Sequence, residues 1–164
     1  MKTFVDNAGR TWTVSITVDS IKRVKGLLAL NLLDAVGGDL LEKLVGDPVL
    51  LCDVVYALCK PQADQLAVSD EDFGRAMAGD AIEMATTALL EDLVDFFPGQ
   101  RRKLLAKALE KLRAMENVAF QVAEARLDDP ALEAQVRAAV QAQMAPENVT
   151  GPGTAEPLAK RLSG

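Results

Sequence analysis

Between Gly9 and Val24 the chain reads GRTWTVSITVDSIKRV, and inside this stretch its hydrophobic period changes. From Trp12 to Val18 the apolar residues take every second position (Trp12, Val14, Ile16, Val18), with Thr13, Ser15 and Thr17 between them, the alternation of a strand with one dry face. After Asp19 they fall at Ile21, Val24, Leu27 and Leu28, which is helical spacing. KTFVD precedes this strand, and Asn7, Ala8 and Gly9 join the two as a three-residue turn with glycine at the left-handed position. A lone hairpin is marginal in water. The face carrying Trp12, Val14, Ile16 and Val18 must therefore lie on the helices that follow.

Those helices are marked by their ends. Asp19 is placed to cap a helix from about Ser20 to Leu30, and a second helical segment covers 32–45, broken at Gly37 and Gly38 and restarting at Asp39. Asp47 followed by Pro48 is an N-cap with proline at the first helical position, opening the apolar run VLLCDVVYALC as the central core helix, ended by Lys60 and Pro61. Asp53 is the polar residue of that run expected to be partly buried and hydrogen-bonded. After the polar connection QADQLA, Ser69 and Asp72 form a capping pair for a short helix through Met77. A longer helix covers 80–97, with Ile82, Ala85, Leu89 and Leu93 on one stripe, and Pro98 and Gly99 stop it.

The longest periodic segment covers 101–127, with Leu105, Leu109, Leu112, Met115, Ala119, Val122 and Leu127 near one stripe. Such a helix is about 40 Å long, more than a compact domain of this size needs, so part of it is expected to project. Asp129 and Pro130 repeat the start signal for a final helix ending near Met144, and the Pro- and Gly-containing remainder reads as a flexible tail. The expected fold is α+β but mostly α, an N-terminal β-hairpin packed on a helical bundle with a long C-terminal helix. Its parts are a hairpin-plus-helices domain at 1–97, a helical extension at 98–144 and a disordered tail at 145–164.

Bulk composition narrows the function. A chain of 164 residues is enough for one core, and a formal charge of −6 argues against general affinity for nucleic acid, which needs a cationic face. No run is long and apolar enough for a membrane span, and Lys2, Asp6 and Arg10 interrupt any signal-peptide core. Cys52 and Cys59 lie about two helical turns, or about 10 Å, apart, beyond the roughly 7 Å that a disulfide tolerates between Cα atoms; they read as reduced, buried thiols.

The sequence contains no histidine, which removes the usual general base near neutral pH, the commonest metal ligand and every Ser/His or Cys/His nucleophile. The carboxylate runs Asp70–Asp72 and Asp128–Asp129 sit at helix starts, where they complement the macrodipole, and Glu91, Asp92 and Asp95 read as a solvated face. Gly37–Gly38 and Gly151/Gly153 lack the strand–loop–helix setting of a phosphate-binding loop. The basic cluster Arg101, Arg102, Lys103, Lys107, Lys111 and Arg113 carries no interleaved aromatics and shares its face with Glu110 and Glu116, so it reads as solvated helix surface. No catalytic, metal-binding or cofactor-binding residue is expected, and no enzyme.

The order of the parts carries more. The hairpin F-x-D-x-x-G-R-T-W (Phe4 to Trp12), a strand running into TVDSIKRV (Thr17 to Val24), the DPVLL helix start (Asp47 to Leu51), Tyr56–Leu58 and VSDEDF (Val68 to Phe73) together resemble a bacteriophage or prophage tail assembly chaperone over residues 1–97. The resemblance implies a small protein of the host bacterial cytoplasm, absent from the mature virion. It would bind the tape measure protein, keep it soluble and promote tail tube polymerisation around it. Its implied partners are the tape measure protein, the tail tube protein and a second copy of itself, with no nucleic acid, membrane or cofactor.

Leu105, Leu109, Leu112, Met115 and Val122 are the candidate interaction residues, core packing being the other reading of the same stripe; the hairpin edge is a second candidate, through strand addition. Two other functions stay open: a structural phage neck or connector component, and a small regulatory or nucleic-acid-binding protein.

Overall fold

The computed structural model describes residues 1–145. Two compact units divide the chain, 1–118 and 119 onward. The first opens with β1 (Lys2–Val5) and β2 (Thr11–Val14), paired antiparallel with Phe4 opposite Trp12. Then follow α1 (Val18–Leu28), a 3-10 turn (Leu32–Ala35), α2 (Leu40–Gly46), α3 (Pro48–Gln65), α4 (Asp70–Arg75) and α5 (Asp80–Phe96). The long α6 (Gly99–Leu127) runs on into the second unit, which also holds α7 (Pro130–Met144). The mostly helical fold with an N-terminal hairpin is as the sequence implies. The expected tail lies outside the described residues, apart from Ala145.

The hairpin closes as its turn residues dictate: Asp6 N–H donates to Arg10 O (3.0 Å), Gly9 N–H donates to Asp6 O (2.9 Å), and Gly9 takes φ +77°. β1 lies over α5 and β2 over α3. Trp12 is fully buried, with its ring edge-on to Phe73 of α4 at 5.0 Å between centroids, and Phe73 in turn meets Tyr56 of α3 at 5.4 Å. Around this aromatic group pack Val14, Val24, Leu44, Val54, Leu89 and Leu93, all fully buried. The hairpin is thus the lid of a helical core, which supplies the apolar support that two strands lack.

Three local expectations change. The strand stops at Val14, and helix α1 begins at Val18, whose side chain is 62% exposed; Val18 leaves the hairpin core face, while Trp12, Val14 and Ile16 keep it. The cap is Thr17, not Asp19: Ser20 N–H donates to Thr17 Oγ1 (3.2 Å) and Thr17 N–H donates to Ser20 Oγ (2.8 Å). This reciprocal box satisfies two backbone donors at once. Asp19 falls in the first turn and accepts from Arg23 Nη2 (2.7 Å).

The third change is at Pro61, which lies inside α3 instead of ending it. Proline cannot donate to the carbonyl one turn back. Arg23 of α1 supplies the missing donor, its Nη1 reaching Leu58 O at 3.0 Å and Ala57 O at 3.5 Å. The compact units divide at 118/119, and Leu105 and Leu109 of α6 belong to the core of the first.

The doubled glycine ends one short helix and precedes α2 as expected. A Cβ on Gly38 would sit 2.5 Å from the carbonyl oxygen of Asp34, so any side chain there must displace the turn. Gly38→Ala is expected to lower stability by about 1–3 kcal/mol, read as a fall in the urea midpoint at unchanged slope.

Candidate protein-interaction surface

Two buried carboxylates fix what the first unit presents. Asp6 (4% exposed) accepts from Trp12 Nε1 (2.8 Å), Arg10 Nε (2.7 Å), and the backbone N–H groups of Ala8 and Arg10 (2.9 Å each). The same Arg10 donates through Nη2 to Asp72 O (3.2 Å), tying the turn to α4. The D-x-x-G-R-x-W part of the hairpin motif is therefore one hydrogen-bonded knot. Burial alone would raise the Asp6 carboxyl, but the Trp12 indole and the backbone and guanidinium of Arg10 outweigh it and hold it below the ordinary value of 3.8.

Asp92 of α5, expected on a solvated face, is the second buried carboxylate (3% exposed). It accepts from Ile16 N–H (2.6 Å) and pairs with the ammonium of Met1, so Ile16, just beyond the end of β2, is tied to α5 instead of a neighbouring strand. Asp53, expected in this role, is half-buried and has no hydrogen-bond partner among the described residues; burial and the nearby Asp70 and Asp47 push its carboxyl up. Sequence alternation marked Asp53 because its neighbours are apolar. What placed Asp92 inside was the strand lying over α5, which no local pattern records.

The cysteines follow the sequence reading in part. Both are free; Cys59 is buried and points at Thr13 O (3.5 Å), and burial pushes its thiol up to about 12. Cys52 is only half-buried.

Of the candidate interaction residues, the structure brings Leu105 (1% exposed) and Leu109 (6%) into the core and packs Leu112 against it. These three are spent on the chain's own fold. Met115 and Val122 are exposed, at 61% and 46%. Sequence reasoning placed all five near one stripe, but at 100° per residue Met115 and Val122 lie well around the helix from Leu109, beside exposed Leu104 and Val118.

The signal that sequence reading passed over is α7. It has no buried residue, and Leu132, Val136 and Val140 follow one another at four-residue steps, within an arc of about 80°, all exposed together with Met144. In the same unit the end of α6 exposes Phe120 and Leu127 on one face, with exposed Val122 on the opposite one. Exposed apolar side chains grouped in this way mark interaction surface. In the basic cluster, Arg102 is committed locally: it donates to Phe97 O (2.9 Å) and Asp95 O (2.6 Å), closing the end of α5. Among the described residues no helix is long and apolar enough to cross a membrane, and no group of acidic or cysteine side chains is placed to hold a metal ion.

Compared with known proteins, the chain matches no family model, no curated protein and no solved structure.

The Asp6 knot sets a pH dependence. Its carboxyl is depressed in the folded state, so the stabilisation is complete above the unfolded value of 3.8 and is lost as pH falls through the lower folded value. Asp6→Ala leaves the indole N–H buried without an acceptor and is expected to lower stability by roughly 2–4 kcal/mol at pH 7. In urea melts the gap between this variant and the parent should narrow as pH drops from 5 toward 3.

Proposed function

We propose that the chain is a phage tail assembly chaperone, which holds the tape measure protein soluble in the host bacterial cytoplasm until tail tube subunits assemble around it. The order of motifs from Phe4 to Phe73 supports this reading, and in the structure those motifs are the parts that build the first unit: the Asp6 knot, the Thr17 box, the Asp47–Pro48 start and the Ser69 cap. The observation that carries it is the second unit's exposed apolar surface on α7 and the end of α6. A chaperone of a long helical client works by lending such surface, because an amphipathic helix laid along another makes repeated, reversible contacts without catalytic groups. The same partners follow: the tape measure protein first, the tail tube protein later, with the chaperone absent from the finished particle.

Co-expression tests this. With the tape measure protein of the same tail operon, the parent chain should raise the client's soluble fraction severalfold, and the full chain carrying Leu132→Gln, Val136→Gln and Val140→Gln should lose most of that gain. A client that stays insoluble beside the parent chain, or this chain recovered stoichiometrically in purified particles, contradicts the proposal.

A further inference from the structure

The two edges of the hairpin are treated differently. On the β2 side, Gln62 of α3 acts as a substitute strand: its Oε1 accepts from Thr13 N–H (3.0 Å) and its Nε2 donates to Thr11 O (2.7 Å). That edge is closed. Since Thr11 and Thr13 turn their backbone groups outward, their partners Val5 and Thr3 do the same on β1. Neither residue's N–H or C=O has a partner on that side among the described residues, and both residues are exposed. Beside this open edge runs a groove of about 540 Å³ between β1 and α5, its lining including Lys2, Thr3, Glu83, Met84, Thr87 and Glu91.

We propose that the open edge of β1 takes an extended segment of another protein as a third strand, with basic residues at two positions four apart and an apolar residue between them on the side facing α5. Backbone pairing to Thr3 and Val5 supplies the affinity, as in other strand-addition sites. The groove supplies the specificity. Glu83 is exposed and makes no ion pair among the described residues, and Glu91 holds Lys2 only at 3.2 Å with 44% of its side chain exposed. Eight helical residues separate these carboxylates along α5, about 12 Å, which is close to the rise of four strand residues, about 13 Å. Met84, 44% exposed, follows Glu83 directly and lines the same groove. A second copy of this chain fits less well, because pairing β1 with β1 would bring two sets of Glu83 and Glu91 to one edge. This inference stands apart from the chaperone reading and needs no phage component to test.

The probe is the acetylated, amidated peptide TKTVTKT, titrated into the full isotope-labelled chain. The amides of Thr3 and Val5 should shift on binding. N-methylation of one alternate set of peptide amides should weaken binding at least tenfold, and of the other set little, because only one set faces the edge. The acidic counterpart TETVTET should bind at least tenfold more weakly, and Glu83→Gln in the protein should weaken TKTVTKT about threefold, roughly the 0.7 kcal/mol of an exposed ion pair. The proposal is overturned by no binding up to about 1 mM, by indifference to both methylations, by shifts confined to residues away from β1 and α5, or by concentration-dependent dimers that protect Thr3 and Val5.

Discussion

The hydrogen bond from the Trp12 indole to the Asp6 carboxylate is the contact on which the first unit depends. A two-stranded sheet has too little apolar surface to hold itself, so this chain buries its one tryptophan among helices and gives the indole N–H a charged acceptor that is itself shielded. The carboxylate is then kept ionised in a buried place by the Arg10 guanidinium and two turn amides. Each group here would be costly alone: an unpaired indole, an uncompensated charge, open turn amides. Together they lock the turn, the strand pair and the junction with α4 into one arrangement. Asp92 repeats the device at the other end of the hairpin, taking the Ile16 amide where the ladder stops.

What was legible in the sequence was local. Asp47 before Pro48, Ser69 before Asp72, and Asp129 before Pro130 each cap the helix they announce, because a cap is decided by residues within one turn of it. The period change near Trp12 likewise located the hairpin. The misses are contacts across the chain. Pro61 reads as a stop until Arg23, from another helix, covers the Ala57 carbonyl that proline leaves open and its neighbour Leu58 O. Asp92 reads as surface until a strand lies over it. Thr17 competes with Asp19 for the same cap, and the reciprocal bond from Ser20 decides between them. On α6 the stripe was visible, but periodicity does not say where a core ends: Leu105 and Leu109 fall inside it, and Met115, a few residues on, does not.

The interaction surface follows from that division of labour. The core of the first unit takes in Leu105 and Leu109 at the beginning of α6. Beyond them exposed apolar residues continue, through Phe120 and Leu127 to the Leu132, Val136 and Val140 row of α7. Leaving such residues in water forgoes the stabilisation that burial would give, of the order of 1.5–3 kcal/mol for a large aliphatic side chain. That surface remains free to be covered by another chain. On β1 a backbone edge is left open, while Gln62 closes the opposite one.

On the chaperone reading proposed above, the apolar row on α7 serves a partner and not the chain's own core. Thermal unfolding of the isolated full chain bearing Leu132→Gln, Val136→Gln and Val140→Gln measures it most directly, since glutamine preserves helix propensity while removing the apolar row. The Tm should stay within about 1 °C of the parent, as for surface changes worth a few tenths of a kcal/mol. A fall of about 8 °C or more, the size expected from losing several kcal/mol of core packing, would mean that the chain covers this face itself, and would contradict it.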